Sequence, residues 1–326
     1  MEKRTWLDHR KKLSTLFIIG NACRDITYRV AALPIPGETA LAHGAATDLG
    51  GKGFNQAIAA RRAGQSLRFF AAVGSDDIAD DISAALLSEG VDPKDLVFRD
   101  GISDSSVLLV DALGENVIVS NTCCAEALRF EDISSKLKFD ADDVLLLQGN
   151  LSRETTHSAT AAAKAAGACI ILNAAPFRDW LPELAEHIDV LIVNELELYR
   201  WTRRDPSHSL HSVMQAGGVN TVVVTLGSRG CCVRLASGTL HSIGTPNTSP
   251  NTSVADTTGA GDVFTGTYVQ EWMSFRDHLR AATLAVHAAS DKVGRHGSST
   301  AFPSSETIDR LRGQISADQP LSFSAR

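Results

Sequence analysis

The chain has 326 residues, 44% hydrophobic and 21% charged, with 31 Lys+Arg against 38 Asp+Glu for a net charge of −7. That length holds one large domain, or a domain carrying a smaller one, and the composition excludes intrinsic disorder. No uncharged apolar run approaches the ~18 residues of a membrane span, and an acidic balance with scattered Lys and Arg leaves no electrostatic footprint for nucleic acid.

Residues 1–15 are basic but lack the apolar core and cleavage site of a secretory signal, and read as a frayed extension. LFIIGN at 16–21 is the first of six short apolar runs, each ending in small or polar residues, that suit strands buried on both faces. Residues 25–49 instead alternate polar and apolar and carry the turn signal Pro36-Gly37, which predicts antiparallel strands. LGGKGFNQAIAARRAG at 49–64 is a glycine-rich turn opening a helix. Its glycines either let backbone amides approach an oxygen-rich ligand or serve the helix cap. The run FFAAVG (69–74) and the helical stretch 76–90 follow, and then SVLLVDALGENVIVS, a hairpin candidate within 104–122. Next come VLLLQGN (144–150), the Ala-rich helix 155–167, CIILNAAP (169–176), VLIVNELE (190–197) and TVVVTLGS (221–228). TPNTSPNTS at 245–253 reads as a solvent loop.

This alternation predicts an α/β fold, a mostly parallel sheet with helices on both faces. The two interrupting stretches form a small antiparallel β lid. Expected boundaries are 16–24, 50–103 and 123–326 for the α/β domain, and 25–49 with 104–122 for the lid. In such sheets ligands bind beyond the carboxyl ends of the strands. Here those ends carry Gly20-Asn21, Gly149-Asn150, Asn173, Asn194 with Glu197, and Thr225 with Gly227, so a polar cleft is expected there.

The last signal is ADTTGAGDVFTGTYVQEW at 255–272. Thr257 to Gly261 lead into a helix with Phe264, Tyr268 and Trp272 spaced four apart, so amides of 259–261 at the helix start form a phosphate site. Asp262 is either a first-turn carboxylate favoured by the helix dipole or a base beside that site. No Walker A motif occurs, and Gly266 follows Gly259-x-Gly261 at the wrong spacing for a dinucleotide fingerprint. Cys23, Cys123, Cys124, Cys169, Cys231 and Cys232 contain no C-x-x-C and read as buried free thiols of a reducing cytoplasm. His208 and His211 have no third ligand nearby in sequence, so no zinc site is expected.

GGKGFNQA and DTTGAGDVFTG, about 200 residues apart, resemble the two signatures of the ribokinase-like (PfkB) carbohydrate kinases. PIPGET (34–39), NAAP (173–176), NELE (194–197) and TLGSRG (225–230) extend the resemblance across about residues 16–305. It implies an ATP- and Mg2+-dependent kinase acting on a sugar or polyol hydroxyl, with Asp262 as base and Gly259, Ala260 and Gly261 as the anion hole. Asn21, Cys23, Asp25, Gly50, Gly51, Lys52, Asn55 and Asn150 match substrate positions. Asn194, Thr225, Gly227, Ser228, Gly230 and His287 match nucleotide positions. Glu197 would order Mg2+ through water. Asp256, Thr258 and Gly297 would hold a monovalent cation such as K+, with Ala301 standing where a completing hydroxyl is expected. The lid implies a homodimer, as in ribokinase-like members. Three departures lie on the sugar side. Cys23 and Asn150 stand where ribokinases have Asn and Glu, and NTCCAEAL replaces a stretch with Gly-Ala-Asn. They imply an altered acceptor, other than ribose. A nucleoside kinase and a sugar sensor without catalysis are the alternatives, although the lid offers a base only Tyr28 and Leu41.

Overall fold

Apolar runs bounded by turn residues become strands, and the Ala-rich stretches between them become helices. The computed structural model describes residues 14–64, 66–112, 116–205, 208–215, 218–246, 256–295 and 297–317. Most of the basic extension and of the loop at 245–253 therefore lies outside the described residues.

The strands are β1 (Leu16–Ile19), β2 (Cys23–Val30), β3 (Ala42–Gly50), β4 (Leu67–Val73), β5 (Leu96–Phe98), β6 (Asp104–Val110) and β7 (Asn116–Asn121). They continue as β8 (Val144–Gln148), β9 (Cys169–Asn173), β10 (Val190–Asn194), β11 (Thr221–Thr225), β12 (Cys231–Arg234) and β13 (Leu240–Ile243). The helices are α1 (Lys52–Ala63), α2 (Asp77–Ser88), α3 (Cys123–Ala127), α4 (Phe130–Ser134) and α5 (Arg153–Ala165). Then follow α6 (Glu195–Thr202), α7 (Leu210–Gln215), α8 (Ala260–Phe275), α9 (His278–Val293) and α10 (Ser305–Ala317).

Nine strands form the main sheet in the order β13-β12-β11-β10-β9-β8-β1-β4-β5. It is parallel from β11 to β5, and β12 and β13 pair antiparallel at one end. Side chains alternate across each strand, so parity sorts them into two cores. Leu16, Ile18, Val144 and Leu146 pack with Phe54, Phe264, Tyr268 and Leu284 from α1, α8 and α9 on one face. Phe17, Ile19, Leu145 and Leu147 pack with Ala159, Leu198, Trp201 and Met214 from α5, α6 and α7 on the other. Among the described residues no helix is long and apolar enough to cross a membrane.

β3, β2, β6 and β7 form a second, four-stranded sheet. Its two hairpins, β2–β3 and β6–β7, are antiparallel, and the pair that joins them, β2–β6, is parallel. The lid is thus two antiparallel hairpins fused side by side. Not every thiol is buried: Cys123 is exposed and Cys169 half-buried, because one starts α3 at the surface and the other opens β9.

β4 and β8 flank β1 on opposite sides, so the strand order reverses between β1 and β8. A crevice opens beyond the carboxyl ends at such a switch point. Asn21 follows β1 and Asn150 follows β8, which puts both asparagines at that crevice.

Candidate active site

The glycine-rich turn at 50–53 is explained first by close packing. A Cβ at Gly53 would lie 2.7 Å from the Asn21 amide nitrogen and 2.8 Å from Gly20 Cα. Only a bare α-carbon lets α1 start against the end of β1, where Phe54 donates its N–H to the Asn21 carbonyl at 2.9 Å. Gly51, the residue before α1, has φ +92°. Gly50 faces Asp25, whose carboxylate fills the space a Cβ would need.

This tight start aims the first turn of α1 at the first turn of α8. Asp262 is 5% exposed, and its two oxygens are held separately. Asn55 Nδ2 donates to Oδ2 at 3.1 Å and Gln56 Nε2 donates to Oδ1 at 3.0 Å, with Lys52 Nζ 3.8 Å from Oδ1. Gln56 is itself fixed: its Nε2 also donates to Asn173 Oδ1 at 3.0 Å, and its Oε1 accepts from Gln148 Nε2 at 2.9 Å. Asn173 Nδ2 donates to the Ile192 carbonyl at 3.1 Å. Residues from α1, β8, β9 and α8 thereby lock one carboxylate. A buried polar network of this kind fixes geometry when it is well satisfied.

Gly259 is the N-cap of α8 at φ +75°, the left-handed region that glycine enters without cost. The amides of Gly259 and Gly261 donate to no acceptor among the described residues, and they sit at the positive end of a 16-residue helix. The Ala260 amide donates to the Thr257 carbonyl at 3.1 Å. The turn therefore presents two open amides rather than the three expected, because closing it consumes the middle one.

Beyond the ends of β10 and β11, a cavity of about 90 Å³ is lined by Lys52, Asn194, Glu197, Thr225, Gly261 and Thr265, among others. Sequence positions 52 to 265 thus meet at one point. Asn194 and Glu197 form a reciprocal capping box on α6, the Asn194 amide donating to Glu197 Oε2 and the Glu197 amide to Asn194 Oδ1, both at 2.8 Å. Burial raises the Glu197 carboxyl above its usual range, opposed by the Asn194 amide and Lys52. Gly227 and Ser228 lie in the turn after β11, closed by the Leu226 amide donating to the Gly230 carbonyl at 2.8 Å. His287 sits half-buried on α9 and does not line this cavity. Among the described residues no three His, Cys, Asp or Glu side chains form a metal cluster. A single glutamate beside open amides suits Mg2+ delivered on phosphates, which keeps most of its water.

At the start of β2, the Cys23 thiol donates to Asp25 Oδ1 at 3.3 Å and lies 3.9 Å from Ser106 Oγ. Burial, then the Asp25 charge, pushes the Cys23 thiol far up, so it stays protonated as a donor. Burial raises Asp25 as well, opposed by hydrogen bonds from Cys23 and Ser106. Asn55 Oδ1, Gln148 Oε1 and Asn150 Oδ1 are buried acceptors without a partner among the described residues. NTCCAEAL contains the whole of α3, whose Cys124 and Ala125 amides donate to Asp104 at 2.7 and 3.1 Å. Burial is the main cause that raises Asp104 to about 6.

The expected monovalent-cation residues do meet. Asp256 Oδ1 accepts from the Thr258 amide at 2.8 Å and Oδ2 from the Gly297 amide at 3.1 Å. A fully buried cation of the chain is already there. Lys292 Nζ donates to the Asp256 carbonyl at 3.0 Å and the Arg295 carbonyl at 3.4 Å, and lies 3.9 Å from Asp256 Oδ2. The residues present do not fit a diffusible K+, because the Lys292 ammonium already takes the Asp256 carbonyl and sits beside the Asp256 carboxylate.

Three residues escaped the sequence reading: Gln56, Gln148 and Lys292. The only signal for the glutamines was a polar residue inside an otherwise apolar run. Lys292, in the last turn of a helix, reads as an ordinary dipole partner.

The pfkB family carbohydrate kinase profile matches residues 14–305. A ribokinase of Haemophilus influenzae is 28% identical over 314 residues, covering 91% of this chain and 98% of that protein. The structure of ribokinase from Giardia lamblia superposes with a TM-score of 0.81 at 24% identity, over 93% of this chain and 99% of the other. That of Arabidopsis thaliana ribokinase, complexed with ribose and ATP, gives 0.79 at 26% identity over 92% and 98%. With the profile spanning most of its length and the fold shared throughout, the chain belongs to the PfkB family of carbohydrate kinases.

Proposed function

We propose that this kinase transfers the γ-phosphoryl group of ATP to a hydroxyl of a small sugar or polyol other than ribose. The observation that carries the acceptor class is the set of buried oxygens Asn55 Oδ1, Gln148 Oε1 and Asn150 Oδ1, none with a partner among the described residues. An unpaired buried acceptor costs about 1–3 kcal/mol, and a polyol, rich in O–H donors, relieves it. Asp25, Asn21, Gly51 and Lys52 complete the acceptor site.

Asp262 takes the proton of the attacking hydroxyl, its carboxylate oriented by Asn55 and Gln56. The open amides of Gly259 and Gly261 receive the transferring phosphoryl group, with Lys52 beside them. Asn194 and Thr225, which line the cavity, serve the nucleotide with the Gly227, Ser228 and Gly230 turn, while His287 lies outside that cavity. Glu197 would hold Mg2+ through water, and the ion, when bound, neutralises charge on the phosphate oxygens. Cys23 supports the departure from ribose: its thiol is a weak group already engaged with Asp25, where an amide could both donate and accept. The lid, which exposes Val107, Val117, Ile118 and Val119, pairs with a second copy of the chain.

The test is an ATP-consumption assay over ribose, 2-deoxyribose, fructose, other ketoses, 2-keto-3-deoxygluconate and nucleosides. The expected result is Mg2+-dependent turnover, best with a sugar other than ribose. Turnover of no acceptor would indicate a sensor, best turnover of nucleosides a nucleoside kinase, and a ribose optimum would refute the acceptor assignment alone.

A further inference from the structure

We propose that the Lys292 ammonium is the resident monovalent cation of this kinase, so that turnover requires no K+. This rests on the phosphoryl-transfer reading of the neighbouring turn.

Lys292 is the penultimate residue of α9 and is 0% exposed. A lysine that deep is retained only where oxygen atoms replace its water. Here the Asp256 and Arg295 carbonyls accept from it, and the Asp256 carboxylate lies 3.9 Å away. The carboxylate is held by the Thr258 and Gly297 amides, so one cation binds together the segments at 256–258 and 295–297. The first of these leads directly into Gly259 and Gly261. The charge therefore lies behind the open amides and fixes the turn that carries them, which makes Lys292 a positioning residue.

An alkali ion held by Asp256 would need the Asp256 carbonyl and carboxylate oxygens that the ammonium already faces. A second cation on the same Asp256 oxygens would be repelled by the ammonium a few ångströms away, and the tethered charge needs no binding equilibrium. Burial does lower the ammonium's pKa, but Asp256 and Asp48 oppose that loss. Asp256 is held below the usual carboxylate range: the Thr258 and Gly297 amides and Lys292 overcome the effect of its burial. Asp48, on lid strand β3, accepts from the Ser298 amide at 3.4 Å and Thr300 Oγ1 at 3.5 Å, which joins the same segment to the lid.

The experiment compares wild type and Lys292→Met in K+, Na+, NH4+ or tetramethylammonium chloride at constant ionic strength, reading turnover and melting temperature. Wild-type turnover is expected to vary by less than about twofold among the salts, with no K+-specific rise in melting temperature. Lys292→Met should lose about tenfold or more in tetramethylammonium and regain most of it in K+ or NH4+, with a K+-specific thermal shift. If Lys292→Met is insoluble, Lys292→Gln carries the same arm. Activation of the wild type by K+ of about fivefold or more, or a K+-specific thermal shift in it, would overturn the proposal. So would a soluble variant that K+ and NH4+ fail to rescue. The thermal shifts need no turnover, so a failure of the kinase reading would be seen separately as absent phosphoryl transfer.

Discussion

Asp262→Asn removes one charge while keeping the shape of the side chain, and the surrounding network decides its cost. Gln56 Nε2 can still donate to the retained oxygen at the Oδ1 position. The new amide then faces Asn55 Nδ2, donor against donor, across 3.1 Å. Asn55 can rotate by half a turn, because its own Oδ1 has no partner to lose. The rotation exchanges one unpaired amide atom for another, so the network survives. The loss of the Lys52 pairing adds about 1 kcal/mol or less, since Lys52 is 35% exposed at 3.8 Å. Folding stability should therefore fall by no more than ~1–2 kcal/mol, a drop of a few degrees in melting temperature. Turnover should fall by about 10²–10⁴-fold, the worth of a positioned base. The rotated Asn55 also withdraws an acceptor from the substrate, which raises KM by about fivefold for one neutral hydrogen bond of ~1 kcal/mol. A coupled ADP-release assay gives kcat and KM, and nucleotide-dependent thermal shift gives ATP affinity. Turnover within about tenfold of wild type, or ATP affinity lost in step with turnover, would refute Asp262 as the base.

Gln56→Leu strands Gln148 Nε2, Asn173 Oδ1 and Asp262 Oδ1 together, and should cost on the order of 3 kcal/mol, read as a lower urea midpoint. An unchanged midpoint would show that the network is not what holds the site. Asp104 titrates at about 6 when folded against an ordinary 3.8. Below 3.8 both states keep the proton; between there and 6 only the folded state does. Its contribution to stability is therefore complete at low pH and declines by about 3 kcal/mol as pH rises through that window. Urea titrations at stepped pH should show this decline in wild type and not in Asp104→Asn, and parallel profiles would refute it. The double variant Cys23→Asn/Asn150→Glu should gain about tenfold or more in kcat/KM for ribose. No gain would mean that these positions do not set the acceptor.

Much of the architecture was legible because its signals are local. LFII, VLLL and TVVV are short, continuous and apolar, which suits a strand covered on both faces. The turn before Asp262 was equally plain, since its glycines precede a long helix-forming run with Phe264, Tyr268 and Trp272 spaced four apart. The antiparallel hairpins of the lid followed from alternation. Their parallel junction, β2 with β6, did not, because the two strands are about 80 residues apart and neither records its partner.

The sequence by itself determined the layers, the strand ends and the residue types gathered at them, because hydrophobic period and turn chemistry act over a few residues. The tertiary structure decided which polar groups meet. Gln56 and Asp262 are 206 residues apart and share one hydrogen bond. Lys292 finds the carbonyl of Asp256 across 36 residues, only because α9 packs against α8 and brings its last turn behind the open amides at the start of α8. Contacts of that kind depend on how helices seat on a sheet and on how deeply each side chain is desolvated, and no local pattern encodes either.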